Sequence, residues 1–243
     1  MRKAGMIGIL AAVAASAGCG SESRAEDNGA TVHQSYEVGA FERIEVAGPY
    51  DVRVRTGENA SVVASGPAKV MERLVVEVKG DRLLIHTRSD RNMFNWARGS
   101  RGTATIEVTA PALRAATIAG SGTVAVDQVS GDSFAGAIAG SGDLNVDSLD
   151  VRTMKLSISG SGDLRVGSGQ AQSAEYRVAG SGNIDGRGVR SETAKVSISG
   201  SGSVHSQATG TADIGISGSG DVVLTGGAKC QVRKSGSGNV RCS

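Results

Sequence analysis

Three prolines, three cysteines and seven aromatic residues are all that this chain of 243 carries of those types. Scarce proline, with no Gly-X-Y period, excludes collagen. Seven aromatics are too few for a large globular enzyme core built on Phe, Tyr and Trp. Glycine and proline together make up about 16% of the chain, below the roughly 25% that marks low-complexity disorder. Charge of one sign is missing as well. The formal net charge is +2, and without Arg2 and Lys3 the remaining basic residues equal the 24 acidic ones. Bulk electrostatics therefore offers nucleic acid nothing to bind. The apolar run at residues 4–17 is shorter than the roughly 20 residues that span a bilayer. Glycine is what the chain has in excess: 36 residues, about twice its usual share.

Residues 1–18 read as an export signal, with Arg2 and Lys3 ahead of an uncharged apolar run that ends in small residues. Two cleavage patterns compete. Ser16-Ala17-Gly18-Cys19 resembles a bacterial lipobox, with Ser16 where that pattern usually carries leucine, and makes Cys19 the lipidated N-terminus. Ala15-Ser16-Ala17 is an A-x-A site that releases an unlipidated, secreted protein. A cysteine directly after the apolar run, followed by polar residues 20–28, favours the lipoprotein. Residues 19–35 then form a polar tether and residues 36–243 one folded domain. Either pattern takes the protein out of the cytoplasm, to where disulfides persist; the location expected is the bacterial cell envelope, periplasmic or outer-membrane anchored, with a secreted protein as the alternative.

Gly-Ser-Gly recurs with its first glycine at 120, 140, 160, 180, 200, 218 and 236, four intervals of 20 followed by two of 18. A fixed period of this size signals a solenoid. Two and four residues before the glycine come Ile158 and Leu156, or Ile198 and Val196. Four and six residues after it come Leu144 and Val146, or Leu164 and Val166. This is period-2 alternation on both sides of a glycine corner, as in two strands that bury one face and meet at a bend. Units this small bury their apolar face only by stacking about 4.8 Å apart. The fold class expected is all-β, a single-stranded parallel β-helix with rungs of about 18–20 residues. Its narrow interior suits Val, Ile, Leu and Ala better than large aromatics. The serines between the glycines are expected to stack in a ladder.

A degraded copy of the repeat extends towards the N-terminus. Ile44 to Val54 superimposes on Leu156 to Val166, with Pro49-Tyr50 in place of Ser-Gly. Val76 to Gly80 with Leu83 to Ile85, and Ile106 to Val108, read as further rungs. The expected total is about ten rungs and a rod on the order of 45 Å long.

The opening Phe41-x-x-Ile44-x-Val46-x-Gly48-Pro49-Tyr50-Asp51-Val52 and the Gly-Ser-Gly-Asp-Leu turns resemble the head GIN domain, an auto-transporter adhesin domain. The resemblance covers nearly the whole chain after the leader. It implies a right-handed parallel β-helix on envelope lipoproteins, and it brings no established activity and no catalytic residues.

The chemistry sought in the residues is mostly not found. Seven equivalent Gly-Ser-Gly serines do not make one activated nucleophile, and no Gly-x-Ser-x-Gly elbow, Walker loop or dinucleotide fingerprint is present. His33, His86 and His205 are far apart, without ligands at metal spacing. Asp143 and Asp163 fall at the same place in adjacent rungs, in a column running Thr123, Asp143, Asp163, Asn183, Ser203, Asp221, Asn239. Calcium bridging or glycoside cleavage could use such a pair, but short polar residues bonding local turn backbone explain it more simply. No cofactor and no metal are expected.

One segment breaks the repeat. Residues 88–102 hold the only Trp and four Arg, and Arg91, Phe94, Trp96, Arg98 and Arg101 form the candidate binding loop. The alternative is that Phe94 and Trp96 only cover the flank of the solenoid. Cys230 and Cys242 stand six residues either side of Gly236, at inward positions, and are expected to pair. The function expected is a non-enzymatic envelope protein that presents a rigid surface to polysaccharide or another envelope component, touching the membrane only through its lipid. The competing readings are a carbohydrate-active lyase or hydrolase and a self-associating structural rod. Metabolic palmitate labelling tests the anchor: the wild type is expected to be marked and Cys19→Ala to lose the label. A mature protein with an unmodified N-terminus at Gly18 contradicts lipidation.

Overall fold

The computed structural model describes residues 30–88 and 102–243. In chain order its elements begin with β1 (Thr31–Tyr36), β2 (Arg43–Ala47), β3 (Asp51–Thr56), β4 (Ser61–Pro67) and α1 (Ala68–Met71). They continue with β5 (Leu74–Lys79), β6 (Arg82–Thr87), β7 (Thr105–Ala110) and β8 (Ala115–Gly120). The repeat region is β9 (Thr123–Gly140), β10 (Asp143–Gly160), β11 (Asp163–Gly180), β12 (Asn183–Gly200) and β13 (Ser203–Gly218), closed by β14 (Asp221–Thr225), β15 (Lys229–Ser235) and β16 (Val240–Cys242). Together they form a β-solenoid of about six turns.

Each of β9 to β13 is one turn, bent into three walls that pair in parallel with the next turn, Asp143 on Asp163 and Gly160 on Gly180. In β10 the inward residues are Leu144 and Val146 on the first wall, Leu149 and Val151 on the second, and Met154, Leu156 and Ile158 on the third. Alternation therefore slips by one residue twice per turn, at the outward pairs 147–148 and 152–153. The expected two-strand unit thus gains a further wall, set by these two polar steps. The shortening from 20 to 18 residues falls on that wall and its bend: β13 pairs Ser206 with Gly186 and then Gln207 with Arg190, skipping residues 187–189, and regains one residue where Ser191 to Thr193 faces Ala208 to Thr211.

The Gly-Ser-Gly corner is where successive turns come closest. The amide of each corner serine donates to the glycine carbonyl one turn back, at 2.9 Å for Ser141, Ser161, Ser181, Ser201 and Ser219. Backbone, not a chain of serine hydroxyls, makes the ladder there, and the serine side chains face water. Gly180 has φ +131°, and a Cβ on it would press into the Gly160 carbonyl oxygen. No other residue satisfies both conditions.

The interior admits four aromatics: Phe41, Tyr50, Phe134 and Tyr176 are at most 2% exposed. The expected bias against large rings fails because a glycine in the next turn or at the same corner makes room for each of two of them. A Cβ on Gly186 would lie 2.9 Å from the Tyr176 ring, and one on Gly48 2.8 Å from the Tyr50 ring. Among the described residues the Tyr176 hydroxyl has no hydrogen-bond partner, and burial pushes it far above the usual tyrosine range.

The N-terminal third departs from the expected run of rungs. β2 and β3 do form one, Ile44 stacking on Ala116 and Val52 on Val124. On its other side lie β6 and β7, also parallel. Beyond these the direction reverses: β5 and β6 make an antiparallel hairpin, β4 adds antiparallel to β7, and β1 adds antiparallel to β4. Residues 74–87 are thus one hairpin in a cap, which reduces about ten rungs to about six turns. Residues 31–35, expected in the tether, belong to the edge strand β1. Five of its six residues are exposed, so backbone pairing rather than an apolar pattern holds it.

At the opposite end β15 and β16 carry Cys230 and Cys242, joined across 12 residues with Cα atoms 6.7 Å apart. The residues stacked on them one turn back, Ala212 and Leu224, are buried. Lys234 takes the place of Ile216 and donates from Nζ to the Gly238 carbonyl at 2.7 Å.

Two outcomes follow for stability. Gly180→Ala is expected to lower unfolding free energy by about 2–5 kcal/mol, the sum of positive-φ strain and overpacking. Ser181→Ala, at the exposed neighbour, is expected to change it by less than about 0.5 kcal/mol. Urea midpoints of the two variants check this, and equal midpoints contradict the corner's role. Replacing both Cys230 and Cys242 by Ser is expected to cost up to about 3 kcal/mol through a loop of this length. Thiol titration of denatured, unreduced exported protein is expected to find neither thiol at these positions, and two free thiols contradict the bond.

Candidate binding surfaces

The expected binding residues Arg91, Phe94, Trp96, Arg98 and Arg101, and the expected lipidation site Cys19, lie outside the described residues. The chain either side of the first group is described. Arg88 N–H donates to the Arg73 carbonyl at 2.8 Å. Residues 88–104 join β6 on one wall to β7 on the next, where regular turns need only the two-residue corner. The break in the repeat is therefore an insertion at that corner.

The solenoid turns the rest of its sequence into columns. Asp163 Oδ1 accepts from Asn183 Nδ2 at 2.9 Å, and Asn183 Oδ1 accepts from the Ser203 hydroxyl at 2.7 Å. Asp221 accepts from both the side chain and the backbone N–H of Asn239. The column expected to bond local turn backbone bonds from rung to rung instead, since the next copy of the turn is nearer than any free local donor. Among the described residues no three His, Cys, Asp or Glu side chains converge. His86 stands by Glu77, Nε2 to Oε1 3.3 Å.

Three surface carboxylates, Asp185, Asp132 and Glu77, are held ionised by neighbouring basic groups. Arg187 binds Asp185 at 2.6 Å and lowers its carboxyl to about 2. Arg152 pairs with Asp132, and Lys79 with His86 borders Glu77, so both carboxyls lie below their ordinary range. Every shift resolved for a described carboxylate is downward.

Two flanks differ in character. Along the third wall runs a broad shallow surface of small side chains, with Ala137, Ser157, Ala179 and Ser199 facing out and Ile138, Ile158 and Val178 beneath. At the bend between the second and third walls lies a groove of about 410 Å³. Its floor is set by the small or buried residues Gly131, Val151, Ala171 and Ser191, and its rims by two outward rows. One row is Asp150, Gln170 and Arg190, in register on successive turns. The other, two residues later in each turn, is Arg152, Gln172 and Glu192. The Gln170 amide donates to Asp150 at 3.0 Å. The period of twenty is the signal that finds these rows, since their members are twenty residues apart.

Among the described residues no helix is long and apolar enough to cross a membrane. No curated protein matches the chain. Solved structures share the fold. A "putative adhesin" from Bacteroides fragilis superimposes with a TM-score of 0.78 at 22% identity, covering 88% of this chain and 97% of its own. A "putative lipid binding protein" from Parabacteroides distasonis gives 0.70 at 22%, covering 89% and 98%. A "putative adhesin" from Parabacteroides merdae gives 0.68 at 17%, covering 89% and 97%. Residues 40–228 match the family model described as "putative auto-transporter adhesin, head GIN domain", and with most of its length so matched the chain belongs to that family.

Proposed function

We propose that this protein is a non-enzymatic binding module of the bacterial envelope, tethered through Cys19, whose rigid flank holds polysaccharide or another envelope component. The observation that carries this reading is the groove at the second bend, where three successive turns present the same pair of outward polar positions on a fixed backbone. Such a surface binds without moving. Family membership supports an address at the cell surface or in the envelope.

The test is retention of the mature protein on immobilised envelope polysaccharide, with reducing ends and unsaturated products assayed in the same samples. Retention without product is expected. New ends or unsaturated sugars point to the lyase or hydrolase, and concentration-dependent polymers in sedimentation without retention point to the structural rod.

A further inference from the structure

We propose that the groove between the second and third walls is a site for an uncharged, linear polysaccharide lying along the solenoid axis. This rests on the envelope-binding reading and gives it a location and a ligand class. The groove takes in residues from five successive turns, Gly131 in β9 to Thr209 in β13, a run of about 19 Å at the strand spacing. It is open along its length, so its occupant is a chain and not a compact molecule. Its rims repeat once per turn, which suits a ligand that itself repeats.

The lining selects among polymers. The groove's charged residues are Asp150, Arg152, Arg190 and Glu192, which balance. Nucleic acid and other polyanions meet two carboxylates there and gain no net attraction. An extended peptide that adds as a strand needs a free backbone edge, and along this flank the strands are paired on both sides from β10 to β12. A lipid chain needs an apolar trough, and the rims are polar.

Hydroxyl-rich chains remain. Neighbouring sugar hydroxyls both donate and accept, and carboxylate, guanidinium and carboxamide groups supply planar paired acceptors, paired donors or one of each. Three such groups are uncommitted: Gln172, Arg190 and Glu192 make no side-chain hydrogen bond or ion pair among the described residues. They sit on two adjacent turns, one rim facing the other. Arg152 and Asp150, by contrast, are already held by Asp132 and Gln170.

Calorimetric titration of the mature protein with chitohexaose, cellohexaose and hexagalacturonate tests the assignment. At least one uncharged hexasaccharide is expected to bind about tenfold or more tightly than its own disaccharide, since only the longer chain reaches several turns. The triple variant Gln172→Ala, Arg190→Ala, Glu192→Ala is expected to lose about tenfold or more of that affinity. All three side chains are exposed, so its melting temperature should match the wild type. Stronger binding of hexagalacturonate, equal binding by the variant, or no hexasaccharide binding at all overturns the site. Retention on envelope polysaccharide, measured in parallel, separates the two proposals: if it persists in the wild type and the variant alike, the groove is wrong and the envelope-binding reading stands.

Discussion

The rest of the structure depends on the approach of backbone to backbone at the Gly-Ser-Gly corner. There the amide of one turn reaches the glycine carbonyl of the turn before at 2.9 Å, over and over. That contact fixes the pitch, and the pitch fixes which side chains share a column. A Cβ at Gly140, Gly160, Gly180 or Gly200 would hold the turns apart at the corner while the walls tried to pair at the strand spacing. The interior then packs to suit: Tyr176 lies over Gly186, and Gly136 makes room for Leu144 and Leu156.

Stacking also decides what kind of chemistry the surface can carry. A side chain in a regular turn has its own equivalents above and below as nearest neighbours, so polar groups settle by pairing along the axis. Asp163, Asn183 and Ser203 do this through hydrogen bonds, and Asp132 with Arg152 through charge. Sites that bring unlike residues together at one point are hard to build in such a lattice. Rows are easy. The groove at the second bend is a pair of rows whose members differ from turn to turn while their backbone does not.

The solenoid and its corner were legible because they rest on a period, and a period needs no knowledge of what packs where. Ile44 to Val54 could be aligned with Leu156 to Val166 for the same reason, and the structure puts them in the same columns. The cap was not legible. Val76, Val78, Leu83 and Ile85 alternate as any strand does, and alternation says nothing about whether a neighbour runs parallel or antiparallel. The second wall was hidden by its two slips, where Asp147-Ser148 and Arg152-Thr153 interrupt the period of two. The rows of the groove lie on that wall, beyond the glycine-flanking positions that draw the eye.

The order in which the N-terminal rung is assembled has a consequence for folding. β2 and β3 come early in the chain, yet they lie between β6–β7 on one side and β8–β9 on the other. A chain made N-terminus first therefore holds residues 43–56 without β6 until residue 87, without β7 until residue 110 and without the β8–β9 side until residue 126. Turns β10 to β12 wait for only the next twenty residues. Long loop closure is slow and neighbour-to-neighbour propagation is fast, so the regular turns form first and the early rung closes onto them. Through that interval the β2 and β3 edges stand open to pairing with other chains.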